Sequence, residues 1–332
     1  MEERKKDHIN LAFESQAFLQ DIDRRFFYEP MLSAHPGNGI PETYFAGKTL
    51  RLPMWVSSMT GGTRMAGTIN RNLARACREF GMGMGLGSCR IIMNDDRHFP
   101  DFDMRDVIGD ELPLYANLGI NQLEIALRDK QLDLIEGLVE KLRADGLMVH
   151  VNPFQEWFQP EGDRLERPAI ESVQALLEKV KFPVVVKEVG QGMGYESLKA
   201  LLQLPLAAVE FAAFGGTNFA KVELLRSDPA QQELFDPLAK IGHDATQMLD
   251  MVNLIVDAQP DAVKCKQLII SGGIKSFLDG FYLIKKSKLP AIYGQASGFL
   301  RHAQGDYSQL KEYVEYQIKG LKLAYAFLRI RD

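Results

Sequence analysis

Cysteine is scarce, at 3 of 332 residues. Cys77, Cys89 and Cys265 are odd in number, widely spaced and form no CxxC pair, which leaves neither a disulfide framework nor a cysteine zinc site. No apolar run approaches the roughly 18 residues a spanning helix needs, and the opening MEERKKDH leads into a mixed segment, not a hydrophobic leader. A soluble, cytoplasmic protein is the expectation. Charge of one sign is also missing: 39 Lys+Arg against 44 Asp+Glu leave a net charge of -5. That balance offers no field to draw in nucleic acid or an acidic membrane, so an anionic ligand needs a local basic cluster. There is no repeat of solenoid length and no low-complexity tract. What is present suits a globular chain, 46% hydrophobic and 25% charged, long enough for two domains or one large barrel.

From about residue 50, short β-branched or apolar runs alternate with longer stretches of helical periodicity, the pattern of repeated βα units. Eight strands are expected, at 53–58, 82–87, 113–118, 147–152, 183–188, 207–211, 267–271 and 290–294. Helices are expected in the gaps, at 66–80, 131–145, 168–180, 244–258, 275–286 and 308–328. Eight such units predict an α/β fold, a closed (β/α)8 TIM barrel over 51–332, with residues 1–50 as an N-terminal arm. The segments 156–167 and 215–244 read as long βα loops, and Arg301-His302 as part of a final loop.

Barrel active sites sit at the C-terminal ends of the strands. Polar residues and glycines collect there: Ser58-Met59-Thr60-Gly61-Gly62 after strand 1, Gly87-Ser88-Cys89-Arg90 after strand 2, and Asn117 at the end of strand 3. Strand 4 runs into His150, Asn152, Gln155 and Glu156, strand 5 carries Lys187, and Thr217 lies in the glycine-rich loop after strand 6. Gly272-Gly273 and Gly294-Gln295-Ala296 follow strands 7 and 8. Those last two clusters fit the phosphate site of barrels, where backbone N–H groups surround an anion that a Cβ would hold away.

Lys187 stands in the apolar run VVVKEVG. A lysine there is paired, functional, or snorkelling to the barrel mouth; a fixed cation can stabilise charge on a cofactor ring or form a Schiff base. His150, Asn152, Gln155 and Glu156 bring together a proton carrier, two neutral amides and one carboxylate, a set suited to holding Mg2+ through one carboxylate and a substrate's phosphates. GMGMGLG at 81–87 and GQGMG at 190–194 do not match GxGxxG. They read as close backbone approach to a flat cofactor and a tight βα turn. From charge alone Arg4-Lys5-Lys6 is a solvated N-terminus.

Taken in order, RKKDHI (Arg4 to Ile9), SSMTGG (Ser57 to Gly62), GLGSCR (Gly85 to Arg90), ANLG (Ala116 to Gly119), VHVNPFQEWFQPEGDR (Val149 to Arg164), VVVKEVGQG (Val184 to Gly192), GGTNFAKVE (Gly215 to Glu223) and SGGI (Ser271 to Ile274) closely resemble the type 2 isopentenyl-diphosphate isomerases. The resemblance spans nearly the whole chain. It implies an FMN-binding barrel that interconverts isopentenyl and dimethylallyl diphosphate with Mg2+, the flavin being active when reduced, with NADPH as its reductant and a homo-oligomer as the assembly. On this resemblance FMN lays its phosphate on Gly272, Gly273 and the loop Gly294, Gln295, Ala296. Its ring lies against Ser58, Met59, Thr60, Ser88, Asn117, Lys187 and Thr217. The diphosphate meets Arg4, Lys5, Arg90, His150, Asn152 and Gln155; Glu156 holds the metal; Gln155, Lys187 and His150 are the side chains nearest the chemistry. The chain departs from the family's pattern at Cys89, Phe219, Lys275 and Gln295, the last standing where a small residue is usual. The competing readings are an FMN-dependent oxidoreductase of the α-hydroxy-acid-oxidising type, disfavoured because neither His243 nor His302 sits in a strand-end motif with arginine, and a non-catalytic flavin-binding barrel.

Overall fold

Short apolar strands can pair on both edges and bury both faces only where a sheet closes on itself and is wrapped by helices. The computed structural model, which describes residues 2–37 and 39–331, shows this closure. The strands are β1 (Met54–Val56), β2 (Gly83–Gly85), β3 (Leu114–Gly119), β4 (Gly146–His150), β5 (Val184–Lys187), β6 (Ala208–Glu210), β7 (Leu268–Ser271) and β8 (Ala291–Gln295). Each pairs in parallel with the next, and β8 pairs back onto β1, so all eight expected strands are present in one (β/α)8 barrel.

Side chains on one face of a strand recur every second residue, and on six of the eight strands one such step toward the C-terminal end exchanges an apolar residue for a polar one. Trp55 is followed by Ser57, Tyr115 by Asn117, Met148 by His150, Val185 by Lys187, Ala208 by Glu210 and Ile269 by Ser271. The lower layer is wholly buried. The polar chemistry is thereby confined to one end.

The other end is closed by residues ahead of β1. Thr43–Phe45 and Lys48–Leu50 form an antiparallel hairpin whose Phe45 and Leu50 are buried, with the Phe45 ring 5.9 Å from that of Trp55. Lys48 donates to the Asp110 and Leu112 carbonyls (2.7 and 3.3 Å) and pairs with Asp145 at 2.5 Å. Asp145 also takes Arg105, whose buried guanidinium donates in addition to the carbonyls of Arg143, Gly109 and Leu112. Phe26–Tyr28 pairs antiparallel with Leu328–Ile330, joining the two ends of the chain. Residues 3–24, which take in all but the first residue of the helix Glu2–Leu11, are exposed. Among the described residues no helix is long and apolar enough to cross a membrane.

Three loop expectations are corrected. The stretch 215–244 contains the helices Phe219–Arg226 and Pro229–Ala239, started by side-chain caps from Asn218 and Asp228 and by Pro229 in the first turn. The loop 156–167 begins inside the helix Pro153–Phe158, and Arg301-His302 lie in the helix Ser297–Ala303. The glycines of GMGMG also make room inside the barrel. A Cβ at Gly83 would overlap the Trp55 ring, and one at Gly85 would overlap the Met148 sulfur; these two glycines admit large interior side chains.

Arg105→Met is expected to lower stability by about 2–4 kcal/mol, because it strips the Arg143 and Gly109 carbonyls of this donor and leaves the Leu112 carbonyl and Asp145 to Lys48 and the Leu114 N–H. Urea denaturation monitored by tryptophan fluorescence checks this. A loss under about 0.5 kcal/mol, the range of a neutral surface change, would deny Arg105 its bracing role.

Candidate active site

The loops after β5, β6, β7 and β8 surround a cavity of about 350 Å3 at the barrel mouth. Part of its floor is glycine. A Cβ on Gly272 would overlap the Ala213 backbone, while Gly215 and Gly216 abut Gly273, so this wall is made of main chain alone. Gly272 and Gly273 take φ of +89° and +71°, conformations that favour glycine. Such a floor can meet an anion with backbone N–H groups. Of the residues expected at a cofactor, Ser58, Lys187, Thr217, Gly272, Gly273, Gly294, Gln295 and Ala296 line this cavity; Met59, Thr60, Ser88 and Asn117 do not.

Gln295 has a definite job. Its amide donates to the Ile274 carbonyl (3.3 Å), and its oxygen accepts from Tyr313 (3.1 Å) and Gln317 (3.4 Å) of the helix Tyr307–Phe327. The loop after β7 and the end of β8 are thus tied to the last helix by one side chain.

The charged groups are arranged strand by strand. Lys187 stands in register with His150 on β4 and with Glu210 on β6, is buried, and donates to the Glu188 carbonyl at 2.7 Å. Asn117 donates to the Leu86 carbonyl (2.9 Å), which turns its oxygen toward His150 Nδ1 (2.9 Å). In this assignment Nδ1 carries the ring proton and Nε2 keeps its lone pair. Burial first, and the Lys187 charge second, push the His150 pKa down to about 3. His150 is a neutral imidazole at physiological pH.

Glu188 points away from this group. Its Oε2 accepts the N–H groups of Gly190, Gln191 and Gly192 at 2.6, 2.6 and 2.9 Å, folding the tight turn expected at 190–194, yet burial still raises its pKa above the usual carboxylate range.

On the opposite side, Glu156 is buried and accepts from Asn152 Nδ2 (3.1 Å) and the Asp163 N–H (3.1 Å). Asp163 pairs with Arg90 at 3.2 Å. Gln155 accepts from Asn152 (3.1 Å) and donates to Glu223 (3.4 Å). Asn152 and Gln155 line a second, mostly apolar cavity of about 530 Å3, which meets the first along Val189. Among the described residues no group of three or more His, Cys, Asp or Glu is placed to hold a metal ion. Arg4 and Lys5 lie on the exposed helix Glu2–Leu11, and among the described residues neither has an ion pair to the barrel.

The structure adds residues that the sequence reading did not single out as ligands. Lys275, Arg301 and His302 line the cavity, with His302 stacked 4.3 Å from Tyr313 and hydrogen-bonded to the Gly298 carbonyl. So does Glu210, fully buried. The criterion that picked out Lys187, a charge inside an apolar strand, applies equally to Glu210 in AAVEF.

By fold the chain is a (β/α)8 barrel like a flavocytochrome b2 variant solved with sulfite bound (TM-score 0.63, 15% identity, 90% of this chain and 71% of that one) and a mandelate oxidase variant carrying an FMN adduct (TM-score 0.55, 16% identity, 92% and 88%). No protein-family model matches it. Among curated proteins it is 33% identical to the isopentenyl-diphosphate delta-isomerase of Rickettsia felis over 97% of this chain and 91% of the relative, and 31% identical to that of Rickettsia africae over 97% and 92%. The chain belongs to the isopentenyl-diphosphate delta-isomerase family.

The low pKa of His150 carries a stability signature. The imidazole binds a proton near pH 6.5 when unfolded and only near 3 when folded; its contribution is therefore complete above about 6.5 and is lost as pH falls toward 3. The expected slope approaches about 1.4 kcal/mol per pH unit below the unfolded value. His150→Gln should flatten the stability profile between pH 7 and 5 in urea titrations. Identical profiles for the two proteins would show that His150 titrates normally.

Proposed function

We propose that this family member is a type 2, FMN-dependent enzyme that interconverts isopentenyl and dimethylallyl diphosphate. The observation that carries the reading is the glycine-floored cavity after β7 and β8 with Lys187 in its wall. A phosphate needs a main-chain cradle from which Cβ atoms are absent, and Gly272 and Gly273 meet that requirement; the donor set fits the group. FMN would place its phosphate on Gly272, Gly273 and the loop Gly294 to Ala296, and its ring toward Ser58, Met59, Thr60, Ser88, Asn117, Lys187 and Thr217. When bound and reduced, with NADPH as the reductant, the flavin supplies the acid–base centre for moving a proton onto and off an unactivated alkene.

The chain's own residues bind and orient. Arg90, half exposed beside Asp163, offers the diphosphate a forked donor. Arg4 and Lys5 add charge from the N-terminal arm (1–50), which we separate from the barrel (51–332). His150 would meet the headgroup through Nε2, a contact that needs the ring proton on that nitrogen to donate to a phosphate oxygen, together with Asn152. Glu156, whose oxygens each accept one hydrogen bond and keep further lone pairs, would hold Mg2+ with the substrate's phosphates and water completing the shell. Gln155 adjoins that carboxylate through Asn152 and can position a second proton transfer. Lys187, in the cavity wall, would set a positive charge beside the flavin ring. A soluble cytoplasmic homo-oligomer completes the reading.

Anaerobic incubation of the reduced, FMN-loaded protein with isopentenyl diphosphate and Mg2+ should yield dimethylallyl diphosphate with no net consumption of reductant. An oxidoreductase would consume its electron donor or acceptor, and a non-catalytic barrel would give no product; either result overturns the proposal. Arg90→Ala should raise KM at least tenfold with flavin retained. Glu156→Gln should remove most Mg2+-dependent turnover, also with flavin retained, and full activity of that variant at limiting Mg2+ would move the metal elsewhere.

A further inference from the structure

Glu210 is the least expected group in the barrel. It ends the apolar strand β6, its exposure is 0%, and its Oε1 accepts two hydroxyls, from Ser57 at 2.5 Å and Ser271 at 2.9 Å. Its Oε2 is buried and has no hydrogen-bond partner among the described residues. The nearest strand's cation does not relieve it, since Lys187 donates to the Glu188 carbonyl instead. A carboxylate oxygen left bare in such surroundings costs free energy that a leucine or methionine would not. Glu210 also lines the cavity at the barrel mouth, so a ligand lying there can supply the missing donor.

The position defines which part of a ligand that would be. Ser271 runs directly into Gly272 and Gly273, the anion floor, and Ser57 runs directly into Ser58 and Met59. Glu210 bonds to both serines and so lies between the anionic end of the site and the ring end. A carboxyl oxygen with an unused lone pair is an acceptor, and a ligand hydroxyl can donate to it where a phosphate oxygen cannot. We propose that Glu210 is a specificity-determining residue whose unpartnered Oε2 accepts a hydrogen bond from the hydroxylated chain joining ring to phosphate in the flavin. The inference rests on the flavin reading above and adds to it the recognition of the polyol segment.

The test compares FMN with a flavin phosphate analogue whose linking chain is an unsubstituted phosphopentyl group. Each is titrated into the apoprotein and followed by flavin fluorescence, for the unaltered protein, Glu210→Gln and Glu210→Leu, with thermal melts to establish folding. Hydrogen bonds to charged groups predict that the unaltered protein prefers FMN by roughly ten- to hundredfold. Glu210→Leu should cut that preference about tenfold or more, through weaker FMN binding with the analogue's affinity nearly unchanged, and Glu210→Gln should give an intermediate value. If the leucine variant fails to fold, the glutamine variant decides alone. Equal binding of the two ligands to the unaltered protein, or a preference untouched by the substitutions, overturns the role of Glu210 while leaving the flavin reading in place. An unaltered protein that binds neither ligand overturns the flavin reading itself, and this inference with it.

Discussion

The filling of the barrel interior governs the rest of the structure. Trp55 can lie inside only because Gly83 on the next strand has no side chain, and its indole then contacts both Phe45 of the closing hairpin and Tyr115 of β3, each with ring centroids 5.9 Å away. With aromatic volume seated at the lower end, the interior is solid there and water is shut out. The residues one period further along each strand are lifted to the open end. Ser57, Asn117, His150, Lys187, Glu210 and Ser271 are gathered at the mouth by the same pleat that buries their neighbours below.

This explains which parts could be read from the sequence. Strands such as VVVK and LIIS announce themselves because β-branched runs flanked by turn residues have few other uses, and their polar ends mark the mouth. The hairpin around Phe45 and Leu50 stayed inside an unspecified arm because its reason for existing is the far side of the barrel, at Asp145, 97 residues on from Lys48, and at Gln267, 221 residues on from Ala46. The helices at 219–226 and 229–239 were hidden by composition, although Asn218 and Asp228-Pro229 are ordinary helix starts. The glycines of β2 have a role that the local pattern does not announce: a glycine-rich run suggests ligand contact, but small residues are also what makes room for a tryptophan on a neighbouring strand. Of the residues read as cofactor contacts, those after β5 to β8 share one cavity, whereas Asn117 is occupied in orienting His150. A side chain's partner across the sheet is not encoded in its local pattern.

The mouth is electrically mixed. Lys187 lies between a histidine that burial keeps neutral and a carboxylate with a bare oxygen, while Glu188, one residue on, is turned into the loop and locked by three backbone amides. Successive residues of one strand thus serve opposite ends: the lysine's charge is kept for the cavity, and the glutamate's is spent on holding the loop that forms the cavity's wall.

The strand pairing of Phe26–Tyr28 with Leu328–Ile330 has a consequence for the architecture as a whole. Because the barrel is cyclic and the two ends of its chain are hydrogen-bonded neighbours, the polypeptide from Phe26 to Ile330 is nearly an unbroken ring, cut at one place. Where this ring is cut is then almost independent of where the fold is held together. A circularly permuted gene, opened at an exposed helix connection such as Ser227 to Asp228 and joined by a short linker across the old ends, encodes the same set of contacts.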